Sequence, residues 1–192
     1  NDKAKKKLCI TLVSNLSLLT EERYKFLAKN NVVFCTSLDG PKNLHNENRP
    51  FYGGDGYKAT VSWIKKIIDK EKKDKTLYHI SALLTVSKAS LKYPKEIIDE
   101  YIKLGFLSVH LRPLSLLGLS GKMKDKIGYT ADDFLMFWRK SMAYIISLHL
   151  KGNTFAERGS VIILTKILTD IDLNFLDLRS PCGAGIGQIL YN

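Results

Sequence analysis

The chain has 192 residues, 45% of them hydrophobic, enough to bury one substantial core, and one domain is the expected count. No run of about 18 apolar residues occurs, which argues against a transmembrane helix, and the charged opening Asn1-Asp-Lys-Ala-Lys-Lys-Lys7 is unlike a signal peptide. The net charge of +11 raises the alternative of a basic nucleic-acid-binding domain. Against it, Lys greatly outnumbers Arg and collects in runs such as Lys65-Lys66, Lys70-Glu71-Lys72-Lys73 and Lys122 to Lys126, the pattern of solvated helix faces.

In chain order, Leu8 to Val13 reads as a strand. Thr20 is a candidate N-cap, with Glu21 and Glu22 in the first helical turn and Tyr24, Phe26 and Leu27 behind it. Val32 to Thr36 is the second strand, and the turn chemistry of Asp39-Gly40-Pro41 ends it. A polar connection, Gly53-Gly54-Asp55-Gly56, precedes a helical stripe of Val61, Ile64, Ile67 and Ile68. His79 to Val86 is the third strand. Pro94 opens a helix bearing Ile97, Ile98, Tyr101 and Leu104, stopped at Gly105. Leu107 to Leu111 is the fourth strand, ending at Arg112-Pro113. Thr130 and Asp133 form a capping box for a long helix with Phe134, Phe137, Trp138, Ala143, Ile145 and Ile146 on its apolar side. Glu157 to Leu168 reads as a further helix, and Asp177 to Cys182 begins a different segment. Gly183-Ala-Gly-Ile-Gly187 lacks the flanking strand and helix of a phosphate loop, so that motif is rejected.

Alternating strands and helices, with strands that are nearly continuous apolar runs, predict an α/β protein with a parallel sheet covered by helices. Only four strands are visible, whereas a closed eight-stranded barrel needs about 250 residues. A partial parallel (β/α) barrel is therefore expected, with its early strands absent and one sheet edge left for pairing. A chain that opens on Asn1 rather than Met fits an excised piece.

Ligands in parallel α/β enzymes gather at the carboxyl ends of the strands, which places Ser37 and Asp39 there. A hydroxyl and a carboxylate suit the diol of a ribose, although Asp-Gly-Pro is also ordinary turn chemistry with nothing bound. A conventional acid–base enzyme using Asp39, Thr85 and Arg112 at the strand ends is another alternative. The three cysteines, Cys9, Cys35 and Cys182, lack the spacing of a disulfide framework or zinc site and suit a reducing cytoplasm; Cys9 and Cys35 read as small core residues. His79, His110 and His149 read as structural. His45 and Arg49, four residues apart, fit either a salt-link to Asp39 or Glu47 or a cofactor contact. Trp63, Phe137 and Trp138 read as packing anchors, and Gly53 to Gly56 as a plain loop or a rim over the barrel mouth.

Four segments in order resemble the radical S-adenosylmethionine (radical SAM) enzymes of the SPASM group, the peptide and sulfatase maturases, and most of all the maturase of the His-Xaa-Ser system. They are Ser37-Leu-Asp-Gly-Pro41 with His45 and Arg49; Leu84-Thr-Val86; Tyr101-Ile-Lys-Leu-Gly105 with His110-Leu-Arg-Pro-Leu114; and Asp177-Leu-Arg-Ser-Pro-Cys-Gly-Ala-Gly185 with Ile189-Leu-Tyr-Asn192. The resemblance implies a six-stranded partial barrel, of which this chain holds roughly strands three to six. It also implies reductive cleavage of S-adenosylmethionine by a [4Fe–4S] cluster, and hydrogen-atom abstraction from a peptide or protein substrate. The implied partners are that substrate and an electron donor such as flavodoxin or ferredoxin, with no nucleic acid and no membrane, in the cytoplasm.

Carried over position by position, Ser37 contacts the ribose with Asp39 adjacent. Thr85 and Val86 lie near the adenine, and Arg112, Pro113 and Leu114 hold the adenine ring. Cys182 falls where SPASM proteins begin to supply thiolates to an auxiliary Fe–S cluster, which divides the chain into a barrel at 1–176 and the start of that region at 177–192. The family's Cys-x-x-x-Cys-x-x-Cys loop is missing, as is the glycine-rich segment after the second strand, so the isolated chain is expected to be inactive.

Overall fold

A computed structural model describes residues 10–74, 80–116 and 118–171. Strand β1 (Thr11–Val13) leads to helix α1 (Glu21–Lys29), whose N-cap Thr20 accepts from the Arg23 backbone N–H. Strand β2 (Val33–Ser37) runs into the Asp39-Gly40-Pro41 turn, followed by α2 (Lys42–Asn48) and α3 (Gly56–Asp74). Strand β3 (Ile80–Thr85) passes through a single 3-10 turn, Ser90–Lys92, into α4 (Pro94–Lys103), with proline in the first helical turn. Two short strands follow, β4 (Ser108–Val109) and β5 (Leu111–Arg112), then two one-turn helices, α5 (Leu119–Lys122) and α6 (Lys124–Ile127). The long α7 (Ala131–Leu150) starts on the complete Thr130–Asp133 capping box. Strand β6 (Ala156–Glu157) enters α8 (Arg158–Leu168) directly.

Every pairing among the described residues is parallel. The sheet runs β1-β2-β3-β5, with Val13 opposite Cys35, Ser37 opposite Leu83 and Thr85 opposite Arg112. Strand β4 pairs separately with β6, Val109 opposite Glu157. β4 and β5 are thus halves of one extended stretch broken at His110, and the Arg112 N–H donates back to the His110 carbonyl at 3.0 Å. One half pairs outward to β6 and the other inward to β3.

Period-two alternation splits the sheet into two faces. Phe34, Thr36, Ile80, Ala82 and Leu84 are buried, and the apolar ones join Ile64, Ile67, Ile97, Ile98 and Tyr101 in one core. Val33, Cys35, Ser37, Ser81, Leu83 and Thr85 alternate with them and are half-buried. Several of these line a cavity of about 710 Å³ on the open face, along with Thr11, Val13 and His110. The two faces are therefore unequal, a departure from a sheet covered on both sides.

Several expectations shift in detail. Cys35 is half-buried on the open face rather than packed in the core, because it alternates with Phe34 and Thr36. Ile146 is 56% exposed and Ala143 is also exposed, since the buried stripe of α7 runs through Phe137, Ser141 and Ile145. Glu157 ends a strand and caps α8 instead of lying within it. The stretch read as one strand over 107–111 is interrupted at His110 and reaches Arg112. Cys9, His79, Cys182 and the proposed region 177–192 lie outside the described residues.

Candidate functional site

Parallel pairing puts the carboxyl ends of β1, β2, β3 and β5 on one edge, and the ladder persists to the tips. The Ser14 N–H donates to the Cys35 carbonyl (3.0 Å), Leu38 N–H to Leu83 (3.2 Å), and Val86 N–H to Arg112 (2.9 Å). Ser37, Thr85 and Arg112 are thereby held in fixed register at adjacent strand ends. Among the described residues, the Ser37 and Thr85 hydroxyls make no hydrogen bond and the exposed Arg112 guanidinium has no ion pair. These groups are available to a ligand at the tip.

Asp39 has a different role. It is 2% exposed, and its carboxylate accepts from Arg49 Nε at 2.7 Å, from Arg49 Nη2 at 3.3 Å and from the Thr85 backbone N–H at 3.4 Å. Its own N–H donates to His45 Nδ1 at 3.3 Å. Asp39 therefore fastens the end of β2 to the end of β3 beneath the surface, and its oxygens are engaged before any sugar could reach them. Of the two roles open to His45 and Arg49 in the sequence, the salt-link to Asp39 is the one formed. Helix α2 carries His45 inward, where burial holds its pKa below 6.5; the Arg49 charge adds to this and the Asp39 charge opposes it.

The turn that makes this possible needs Gly40. Its φ is +119°, and a Cβ there would stand 2.8 Å from Ile97 Cγ1. The fully buried Tyr101 donates its hydroxyl to the Leu38 carbonyl at 2.6 Å, fixing the same turn from α4, and burial pushes its pKa well above the ordinary value of 10.0. At the β3 tip, the Ser87 hydroxyl donates to Asn48 Oδ1 at 2.9 Å.

The remaining predicted residues divide. The Val86 side chain is fully buried, so it supports the tip from within. Pro113 is exposed, and half-buried Leu114 donates its N–H to the Tyr129 hydroxyl at 2.7 Å. Arg112, Pro113 and Leu114 line a groove of about 580 Å³ with Phe134, Trp138 and Ile163. His149 contacts the Phe155 backbone through Nε2, a structural role. Asp55 ties down the Gly53–Gly56 loop, taking Lys42 at 2.7 Å and accepting from Asn46 and the Lys58 N–H. Among the described residues no group of three or more His, Cys, Asp or Glu side chains could hold a metal ion. Sequence reasoning missed Tyr101 and Glu157 as site supports. Tyr101 sat in an apolar stripe with no sign of its hydroxyl's target, whereas an acid two residues before Gly159-Ser160 is a readable cap signal.

No family model matches the chain, and no curated protein matches it. Solved structures do. Native anSMEcpe with bound AdoMet and Kp18Cys peptide aligns at a TM-score of 0.70 and 23% identity, over 86% of this chain and 44% of that one. Native anSMEcpe with bound AdoMet gives 0.69 and 22%, over 86% and 44%. The complex of native anSMEcpe with AdoMet and Cp18Cys peptide gives 0.69 and 23%, over 95% and 47%. The chain spans less than half the length of these proteins. No helix among the described residues is long and apolar enough to cross a membrane. At such identities the likeness shows the fold alone, and the chain has an α/β fold, a parallel sheet with covering helices, consistent with the expected partial barrel.

Proposed function

We propose that this chain is the central and later barrel portion of a radical SAM enzyme of the SPASM type, resembling the His-Xaa-Ser system maturase and acting on a peptide or protein. The observation that carries the reading is the convergence of Ser37, Thr85 and Arg112 at one sheet edge, in a fold shared with proteins that bind AdoMet. Two unengaged hydroxyls and a guanidinium suit the ribose hydroxyls, ring nitrogens and carboxylate of S-adenosylmethionine. Asp39 and Val86 serve this site from below, as supports rather than contacts. S-adenosylmethionine, reductively cleaved, supplies the radical; the residues of this chain bind and orient it.

A [4Fe–4S] cluster does not fit the residues at hand. Only three cysteines occur, none at cluster spacing, so its ligands belong to polypeptide outside this chain, and an auxiliary cluster would draw on Cys182 only together with further thiolates. The peptide substrate is supported by the peptides bound to the similar structures. The electron donor, such as flavodoxin or ferredoxin, and the cytoplasmic setting rest on the family resemblance. The isolated chain is expected to lack activity for want of the cluster.

The test is calorimetric titration of the full-length protein with AdoMet, after anaerobic iron–sulfide reconstitution and with thermal melts in parallel. Ser37→Ala and Thr85→Val should each weaken binding roughly 2- to 10-fold, the worth of one hydrogen bond of about 0.5–1.5 kcal/mol, with little change in Tm. A full-length protein that takes up no iron–sulfur cluster and binds no AdoMet would overturn the proposal.

A further inference from the structure

Glu157 is 3% exposed, and its carboxylate does two things at once. As the N-cap of α8 it accepts from the Gly159 N–H (2.9 Å), the Ser160 N–H (2.6 Å) and the Ser160 hydroxyl (2.7 Å). The same carboxylate accepts from the Leu111 backbone N–H at 3.2 Å. That second contact sits just past the break at His110. The backbone of Glu157 pairs with Val109 on β4, so the ladder between β4 and β6 ends there. Two residues further on, the side chain of Glu157 replaces the strand partner that Leu111 would otherwise need. Leu111 and Arg112 are then free to pair with Leu84 and Thr85 of β3. The direction in which Arg112, Pro113 and Leu114 leave the sheet follows from this hand-over.

We infer that Glu157 is a positioning residue for the ligand site, setting the exit of Arg112 to Leu114 through its bond to the Leu111 N–H. The inference rests on the proposed S-adenosylmethionine site. Glu157 touches no ligand itself. It turns a strand that begins in one pairing into a tip that ends in another, and it links that tip to the first turn of α8.

Asp at position 157 separates the two tasks. Aspartate is a good N-cap and keeps the bonds to Gly159 and Ser160, but it is one methylene too short to hold Leu111 as well. Glu157→Asp should leave Tm close to that of wild type. It should speed amide hydrogen exchange in the Leu111–Leu114 stretch and weaken AdoMet binding about tenfold by calorimetry in the reconstituted full-length protein. That is the loss expected from about 1.4 kcal/mol. AdoMet affinity within twofold of wild type, or unchanged exchange at Leu111, would overturn the inference while leaving the proposed function standing. Wild-type protein that binds no AdoMet would instead remove the proposed function, and the inference with it. A readout in Tm alone belongs to the cap; a fall in affinity at constant Tm belongs to the tip.

Discussion

Replacing Arg49 by methionine is the sharpest probe of how the strand tips are held. The Asp39 side chain is 3% exposed and its strongest partner is Arg49 Nε at 2.7 Å; what remains without the guanidinium is the longer contact from the Thr85 N–H at 3.4 Å. Deleting one partner of a buried pair costs about 3–5 kcal/mol, because the other charge is left without compensation. Arg49 is 35% exposed, so water reaches part of the vacated site and the figure comes down to about 2–3 kcal/mol. For a chain of this size that is a drop in Tm of roughly 5–10 °C. Urea unfolding of Arg49→Met, Asp39→Asn and the double variant, followed by circular dichroism, measures it. The double variant should lose clearly less than the sum of the singles, because both remove one interaction. A single-variant loss under about 0.5 kcal/mol, the range of neutral surface substitutions, or strict additivity in the cycle, would refute the view that this pair braces the end of β2 against α2.

Three further expectations concern the same turn. Gly40→Ala places a Cβ 2.8 Å from Ile97 Cγ1 at a φ of +119°, and should cost about 2–4 kcal/mol from left-handed strain and overpacking together, read as a urea midpoint. Tyr101→Phe removes the hydroxyl that donates to the Leu38 carbonyl in a fully buried site and should cost about 1–3 kcal/mol by the same measurement. His45 has its pKa held below 6.5 by burial, so the unfolded chain takes up its proton first as pH falls. Stability from this group is present above about pH 6.5 and lost as pH drops toward the lower folded pKa, and His45→Gln should flatten that part of a stability–pH curve between pH 7.5 and 5.

The elements were legible wherever a local signal carried them. Thr20, Pro94 and the Thr130–Asp133 box each start a helix at the expected residue, because an N-cap is a contact between residues two or three apart. Val33 to Ser37 and Ile80 to Thr85 form strands as their apolar runs predict. What the sequence hid is non-local. The choice between Arg49 as ligand contact and as partner of Asp39 depends on how α2 docks across the end of β2. The split between β4 and β5 depends on a partner strand 46 residues away, where the Glu157 side chain meets the Leu111 N–H. Cys35 shows the same limit on a smaller scale. Its apolar neighbours mark a strand, but only the sheet reveals which of its two faces stays open.

The tip groups fall into two sets with different physical jobs, and strand periodicity explains the division. Ser37 and Thr85 sit on the half-buried face, two residues on from Cys35 and Leu83, while Thr36 and Leu84 between them are buried at 1% and 0%. Past the last paired residue the chain turns at Gly40, and the next polar group, Asp39, falls beneath the edge, where only a cation and backbone donors can satisfy it. A carboxylate in that place contributes rigidity at the strand tips, because its bonds come from two different elements: Arg49 at the end of α2 and Thr85 at the end of β3. The hydroxyls above it are then fixed in spacing without being consumed by that fixing. If the edge binds a ligand as proposed, it needs both sets, since free polar groups on an unfastened edge would spend their binding energy on ordering themselves.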